Sequence, residues 1–399
     1  MAHRGRIALA DIFRQHGNAY LAAHALAPAQ AKAWRAIVSC RTAALGGHVL
    51  QCADCGATRH VYHSCRNRHC PTCQSRARDQ WIAARHRELL PVPYTHLVFT
   101  LPHALNGLAG SHFRLITDML FEAASGTLVA FGANPRWLGG SLAFSLVLHT
   151  WSQNLMRHLH VHALVASGAL TGQGQWIASR RGFLFPVKAL SQVFREKFID
   201  ALKAARGDGQ LRHAETDSAH GWRTLLLALR RHDWVVYAKQ PLGGPAQVLD
   251  YLARYTHRVG ISNDRLASLA EGEVTFRVRD NASPGKKRTL RLPAEAFIGR
   301  FLLHVLPSGF KRIRHYGILA NRHKQAKLAQ CRAALAVPPP DAQVIESVDA
   351  FMLRVAHIDI GCCRHCAHGR LRVIEVIAPV RLPFLRCLAT GPPGARGAA

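Results

Sequence analysis

Acidic residues are scarce. The 399-residue chain holds 23 aspartates and glutamates against 52 lysines and arginines, a formal charge of +29. A surplus this large costs self-repulsion unless a polyanion offsets it, and nucleic acid is the usual partner. The shortage is also uneven. No acid lies between Asp54 and Asp79, where Arg59, Arg66, Arg68, Arg76 and Arg78 accumulate. None lies between Glu295 and Asp341, where Arg300, Lys311, Arg312, Arg314, Arg322, Lys324, Lys327 and Arg332 accumulate. These tracts read as surfaces shaped for phosphate, with Arg66, Arg68, Lys311, Arg312, Arg314 and Arg322 as candidate DNA contacts. A solvated basic surface is the plainer alternative.

Other absences narrow the class further. No run of 18 uncharged apolar residues occurs, so no membrane span is expected. Met1–Gln15 alternates charge with short apolar pieces and has no signal-peptide core. No GxxxxGK motif occurs, which disfavours a fused P-loop helicase. Eleven cysteines without a secretion signal point to a reducing compartment and metal ligation, not to disulfides. Tyrosine is rare, at seven residues. A hydrophobic content of 49% nevertheless demands a folded core.

Three regions are expected: residues 1–92, helical and cysteine-bearing; 93–335, the main domain; and 336–399, a Pro338–Pro340 linker, a Cys/His segment and a disordered tail from Gly391. Pro28–Ser39 and Trp222–Arg231 read as helices, as does the stretch from about 104 to 130. A helix starts at Pro245 and ends at Gly260, and another follows Pro293. Tyr94–Leu101, Ser141–Trp151, His158–Ala166 and Asp233–Ala238 read as strands, and Glu273–Arg279 pairs with Arg288–Leu292 as a hairpin. The irregular mixture favours α+β over a doubly wound parallel sheet.

Three constellations carry chemistry. Cys52-x-x-Cys55 and Cys70-x-x-Cys73 form two knuckles, each able to aim two thiolates at one ion; together they would close a structural zinc site. Cys65 and His69 stand inside the loop as replacement ligands. Cys363-x-x-Cys366 offers a single further knuckle, with Cys362, His365, His357 or His368 to complete it. The second constellation is His158-x-His160-x-His162. On a strand these imidazoles share one face while Leu159, Val161, Ala163 and Val165 turn into a core. Two of them can hold a divalent ion with positions open for phosphate. The third ligand stays open among His149, Asp250 and His158. The third constellation is Tyr251 and Tyr255, one turn apart on the helix from Pro245, with Arg254 between them and Arg258 continuing their stripe. A phenolate can attack a phosphodiester; equally, both rings could simply pack at a core edge.

Several long segments carry a resemblance: Ser64–Gln74, Val98–Asn106, His158–Val165, Tyr251–Leu266 and Arg300–Arg322. In these the chain resembles the rolling-circle transposases of the insertion-sequence ninety-one group, which belong to the HUH endonucleases. The resemblance spans residues from about 50 to 325. It implies a small N-terminal zinc-binding domain and a catalytic domain with an antiparallel sheet flanked by helices. The family's metal pair falls on His160 and His162, with Leu159 where the family has proline, and its two tyrosines fall on Tyr251 and Tyr255. Implied cofactors are structural Zn2+ and a catalytic divalent ion such as Mg2+ or Mn2+. The implied partner is DNA, especially single-stranded element ends, handled through a 5′-phosphotyrosine in a cytoplasmic, nucleoid-associated protein. The alternatives are a plasmid relaxase or replication initiator with the same chemistry, or a non-catalytic zinc-containing DNA-binding protein. The oligomeric state is not legible.

Overall fold

Alternation along three strands sorts their side chains into an apolar and a polar side, and both sides find a use. A computed structural model describes residues 7–180, 184–242, 247–248, 260–280, 285–340 and 346–380. Its elements run α1 (Leu9–Ala23), α2 (Pro28–Ser39), β1 (Gly47–Cys52), β2 (Thr58–Tyr62), α3 (Gln74–His86), β3 (Tyr94–Thr100), α4 (Asn106–Ser111), α5 (Phe113–Ala133), β4 (Ser141–Trp151), β5 (Arg157–Leu170) and β6 (Trp176–Ala178). There follow α6 (Val187–Gly207), α7 (Ala214–Asp217), α8 (Ala219–Arg230), β7 (Val236–Leu242), β8 (Leu266–Ala270), β9 (Glu273–Arg279) and β10 (Lys287–Pro293). The last are α9 (Ala294–Leu302), β11 (Ile313–Gly317), α10 (Lys324–Ala334), α11 (Val348–Ala356) and β12 (Leu371–Ile377).

The central sheet has the antiparallel order β11-β4-β5-β3-β7, with β6 added to β5. One face presents Leu97, Phe99, Phe144, Leu146, Leu159, Val161 and Val165 to the buried sides of α5 and α6, where Ile116, Leu120, Phe194 and Phe198 are fully enclosed. Each such side chain contributes about 1.5–3 kcal/mol by leaving water, so this face anchors the domain. Helix α5 is long and apolar enough to cross a membrane, but 67% of its apolar window is buried inside the fold; it is a core helix. The opposite face is divided. At one end Tyr94, Ala143, Leu164 and Ala166 join Val248, Ile318, Leu328 and Cys331 in a smaller core. At the other end stand histidines.

The stretch 1–92 divides in the packing. Helices α1 and α2 share a core with β8, β9, β10 and α9: Phe13 packs on Trp34 and edge-on to Phe301, and Phe276 meets Phe297. Gly17 lets the helices touch, since a Cβ there would lie 2.6 Å from the Trp34 ring. Strands β1 and β2 instead form a separate sheet of order β12-β1-β2, closed by the far end of the chain. The segment after the proline run, expected only as a linker and a Cys/His piece, thus contributes a helix and a strand. The tail from Gly391, expected to be disordered, lies outside the described residues.

Gly317 closes β11 onto β4. Its φ is +58°, and an added Cβ would collide with the Leu142 carbonyl oxygen. Gly317→Ala should therefore destabilise the chain by at least the 1–3 kcal/mol or so of a strained backbone, read as a lowered midpoint in denaturant. An unchanged midpoint would show that β11 does not depend on this approach.

Candidate active site

Antiparallel pairing of β4 with β5 sets His149 opposite His160 and Val147 opposite His162. Because side chains alternate, His149, His160 and His162 emerge on the face that α5 and α6 leave uncovered. One ring nitrogen from each lies within 4.8 Å of the other two. The rings of His149 and His162 are 4.3 Å apart, and those of His160 and His162 are 4.9 Å apart. His149, left open beside Asp250 and His158 by sequence, is the one the sheet brings to this pair. Asp250 lies outside the described residues. His158 lines the same cleft, but its Nδ1 pairs with His103 Nε2 at 3.2 Å.

Hydrogen bonds orient two of the rings. His160 Nδ1 donates to the His158 carbonyl at 2.9 Å, which places its lone pair on Nε2. His162 Nδ1 stands 2.9 Å from Nε2 of His96 on the neighbouring strand β3. His96 was not singled out by sequence, though the strand alternation that buries Leu97 turns it to this side. Burial, then the charges of Lys239 and His160, pushes His96 down to about 3. Burial, then His158, pushes His160 down to about 4. Neutral imidazole is the state that metal ligation requires. An all-nitrogen donor set fits a transition-metal dication better than Mg2+, which demands oxygen ligands and dehydrates reluctantly. The histidines floor an open cleft of about 440 Å³, whose far wall is the β9–β10 hairpin with exposed Arg279 and Arg288.

The arginines expected on DNA divide. Arg66 is exposed, with φ +51°, as are Lys311 and Arg322. Arg68 is exposed too, but its guanidinium donates to the carbonyls of Phe310 at 2.8 Å and Pro307 at 3.0 Å. Arg314 pairs with Asp118 and lies 4.0 Å over the Phe121 ring. Arg312 sits 5.9 Å over Trp151, and burial, with Arg68 nearby, lowers it to about 10. Arg312 and Arg314, expected among the DNA contacts, are thus both half-buried. Arg314 extends β11 opposite Leu146, on the helix-covered side, where a carboxylate awaits it. Tyr251, Arg254, Tyr255 and Arg258 lie outside the described residues.

The cysteines also regroup. Cys52, Cys55, Cys70 and Cys73 do not converge on one point. Cys70 and Cys73 join Cys40 and Cys65, with Cys73 Sγ 3.2 Å from Cys40 Sγ and 3.6 Å from Cys65 Sγ. Cys52 and Cys55 join Cys363 and Cys366. The cause is local. The first knuckle rides the tip of the β1–β2 hairpin, whereas Cys40 ends α2 and Cys73 begins α3. Cys65 enters as the replacement ligand that sequence allowed. His69 does not; it stands outside the four-sulfur group. Cys40 was missed, because a single cysteine 25 residues before the next partner in its cluster has no knuckle spacing.

Comparisons with known proteins agree with this organisation. A family profile described as "Putative transposase" matches residues 143–327, and one described as "Transposase zinc-binding domain" matches residues 12–101. The chain is 43% identical over 394 residues to "Putative transposase y4qJ" of Sinorhizobium fredii (strain NBRC 101917 / NGR234), covering 96% of this chain and 97% of that one. It is 29% identical over 312 residues to the transposase for insertion sequence element IS801 of Pseudomonas savastanoi pv. phaseolicola, covering 76% of this chain and 73% of that one. Among solved structures, TrwC complexed with a 27-mer DNA comprising the recognition hairpin and the cleavage site aligns at 19% identity and a TM-score of 0.23. That alignment covers 42% of this chain and 66% of that one.

With Nε2 of His162 turned to an ion, its Nδ1–H would donate to His96 Nε2, so His96 should matter to metal binding without touching the ion. His96→Phe, which keeps the bulk and removes the acceptor, should weaken Mn2+ binding by about 10–100-fold, measured by electron paramagnetic resonance titration. His96→Gln should recover part of the loss. Equal affinity in all three proteins would deny His96 this part.

Proposed function

The chain belongs to the rolling-circle transposases of the insertion-sequence ninety-one family, and we propose that it nicks single-stranded DNA at the three-histidine face of its central sheet, with Tyr251 and Tyr255 as nucleophiles. The observation that carries this reading is the set of three convergent imidazoles, at least one of them held neutral, on the floor of an open cleft walled by arginines. His149, His160 and His162 would hold the divalent ion. When bound, that ion polarises the scissile phosphate and offsets the charge that develops on it.

The protein's own groups supply the rest. A tyrosine hydroxyl, with an ordinary pKa near 10, gives up its proton and its oxygen attacks phosphorus. The P–O3′ bond breaks, the departing 3′ oxygen takes up a proton, and the 5′ phosphate remains esterified to tyrosine. The new 3′-OH is then free for extension while the second tyrosine resolves the intermediate or attacks the target. Arg279 and Arg288 are suited to grip backbone phosphates beside the cut. Two flanking observations support the tyrosines. Val248, three residues before Tyr251, is buried with Leu164 and Ala166 on the histidine-bearing face. On the other side, Gly260 approaches Leu155 and His304 beside the cleft wall.

Covalent capture of a labelled oligonucleotide tests the proposal. The wild-type chain should form a 5′-phosphotyrosine adduct. At least one of Tyr251→Phe and Tyr255→Phe should abolish it, and the double substitution should abolish it entirely. His160→Ala with His162→Ala should remove nicking while leaving most DNA binding, since the basic surface is untouched. An adduct formed by the double Phe protein would overturn the assignment of the nucleophile.

A further inference from the structure

The sheet β12-β1-β2 has almost no core. Strand β2 is exposed along four of its five residues, and the interior of β12 is exposed throughout, with Val373 56% and Val376 69% accessible. Hydrophobic burial does not explain why residues 371–377 return to the N-terminal hairpin across more than 300 residues of chain. Small sheets of this kind depend on a cross-link or an ion.

We propose that Cys52, Cys55, Cys363 and Cys366 bind a second structural zinc ion, separate from the Cys40, Cys65, Cys70 and Cys73 cluster, which fastens the C-terminal segment to the N-terminal finger. Cys363 and Cys366 lie outside the segments matched by the two family profiles, residues 12–101 and 143–327. The four sulfurs lie within 4.8 Å of one another, with Cys52 to Cys366 at 3.7 Å and Cys55 to Cys363 at 3.8 Å. Ligands at about 2.3 Å in a tetrahedron stand about 3.8 Å apart, so the spacing is that of a Zn–thiolate site.

The two halves are built alike. In each, two residues separate the cysteines, and the residue directly after the second cysteine is left-handed: Gly56 at φ +72° and Ala367 at φ +66°. In the C-terminal half, backbone N–H groups aim at the sulfurs. His365 N–H donates to Cys363 Sγ at 3.3 Å, and Gly369 N–H donates to Cys366 Sγ at 3.2 Å. Such donors favour thiolate, the ligating form. Ala53 N–H then bonds to the Arg370 carbonyl at 2.9 Å, joining the first knuckle to the strand behind the second. Gly369 lets them close: a Cβ there would lie 2.3 Å from Cys52 Sγ and 3.0 Å from Cys366 Sγ. The three histidines weighed with this segment, His357, His365 and His368, are exposed and stand outside the quartet, and His368 faces Asp54. Cys362 also stands outside the quartet, its thiol directed to the Ala367 carbonyl.

Zinc content of the full chain tests this, in a His160→Ala, His162→Ala background that silences the sheet site. Two zinc ions per chain are expected, falling to one in Cys363→Ser, Cys366→Ser. One ion in the parent, or two retained in the serine variant, would overturn the proposal. Cobalt substitution guards against misfolding as an explanation. The thiolate-to-cobalt absorption of the parent should fall by half in the serine variant. Cys366→His should keep both ions and lose only part of that intensity. A third readout comes from the opposite end of the chain. Cys52→Ser, Cys55→Ser should strip hydrogen-exchange protection from Leu371–Ile377, and unchanged protection there would contradict the fastening. None of these outcomes depends on the nicking reaction.

Discussion

The register of β4 against β5 is the constraint on which the site depends. One set of alternate residues, Leu146, Leu148, Leu159 and Val161, is committed to α5 and α6. That commitment forces the other set, His149, His160 and His162, to the uncovered face, where His149 falls opposite His160. A slip of one residue would bury the imidazoles and expose the core, so the hydrophobic layer that stabilises the domain also specifies which histidines converge. The β3–β5 pairing adds His96 behind His162 by the same rule.

Charge is distributed with comparable economy. With only 23 acids, the chain can neutralise fewer than half of its 52 basic side chains. Two of the acids meet cations near the core: Asp118 lies beside Arg314, and Glu88 lies between Arg85 and Lys324. Arg68 is held by carbonyls instead. Cations at the cleft wall, such as Arg279 and Arg288, remain exposed. A basic surplus in composition is therefore a statement about the whole surface, and only the fold separates structural guanidiniums from those facing a phosphate.

Much of this was legible in the sequence, and its limits have physical causes. Helix α2 starts at Pro28 and stops at Ser39 where the proline and the turn chemistry place it, and the expected β9–β10 hairpin forms. The histidine strand follows from strict alternation. Strand β7 runs Val236–Leu242 rather than Asp233–Ala238, because Trp234 is drawn under α6, where its carbonyl accepts from Ser191. Helix α6 was not singled out, although Leu190, Phe194, Phe198 and Leu202 recur at helical spacing. What sequence could not supply was pairing across long separations. Knuckle spacing marked Cys52, Cys55, Cys70 and Cys73 as metal-like but joined them to one another, whereas the fold gathers each pair with other cysteines. Each partner, Cys40 or Cys363, is brought in by a different element: the end of a helix in one case, a returning strand in the other.

The central claim is that the scissile phosphate is cleaved against an ion held by His149, His160 and His162. A single-turnover reaction on an oligonucleotide with sulfur in place of a non-bridging oxygen at the cleavage site tests it most directly. Cleavage should be slow in Mg2+ and recover on adding a thiophilic ion such as Mn2+ or Cd2+, with no recovery in the His149→Ala protein. Equal rates for the oxygen and sulfur substrates with every ion would contradict it.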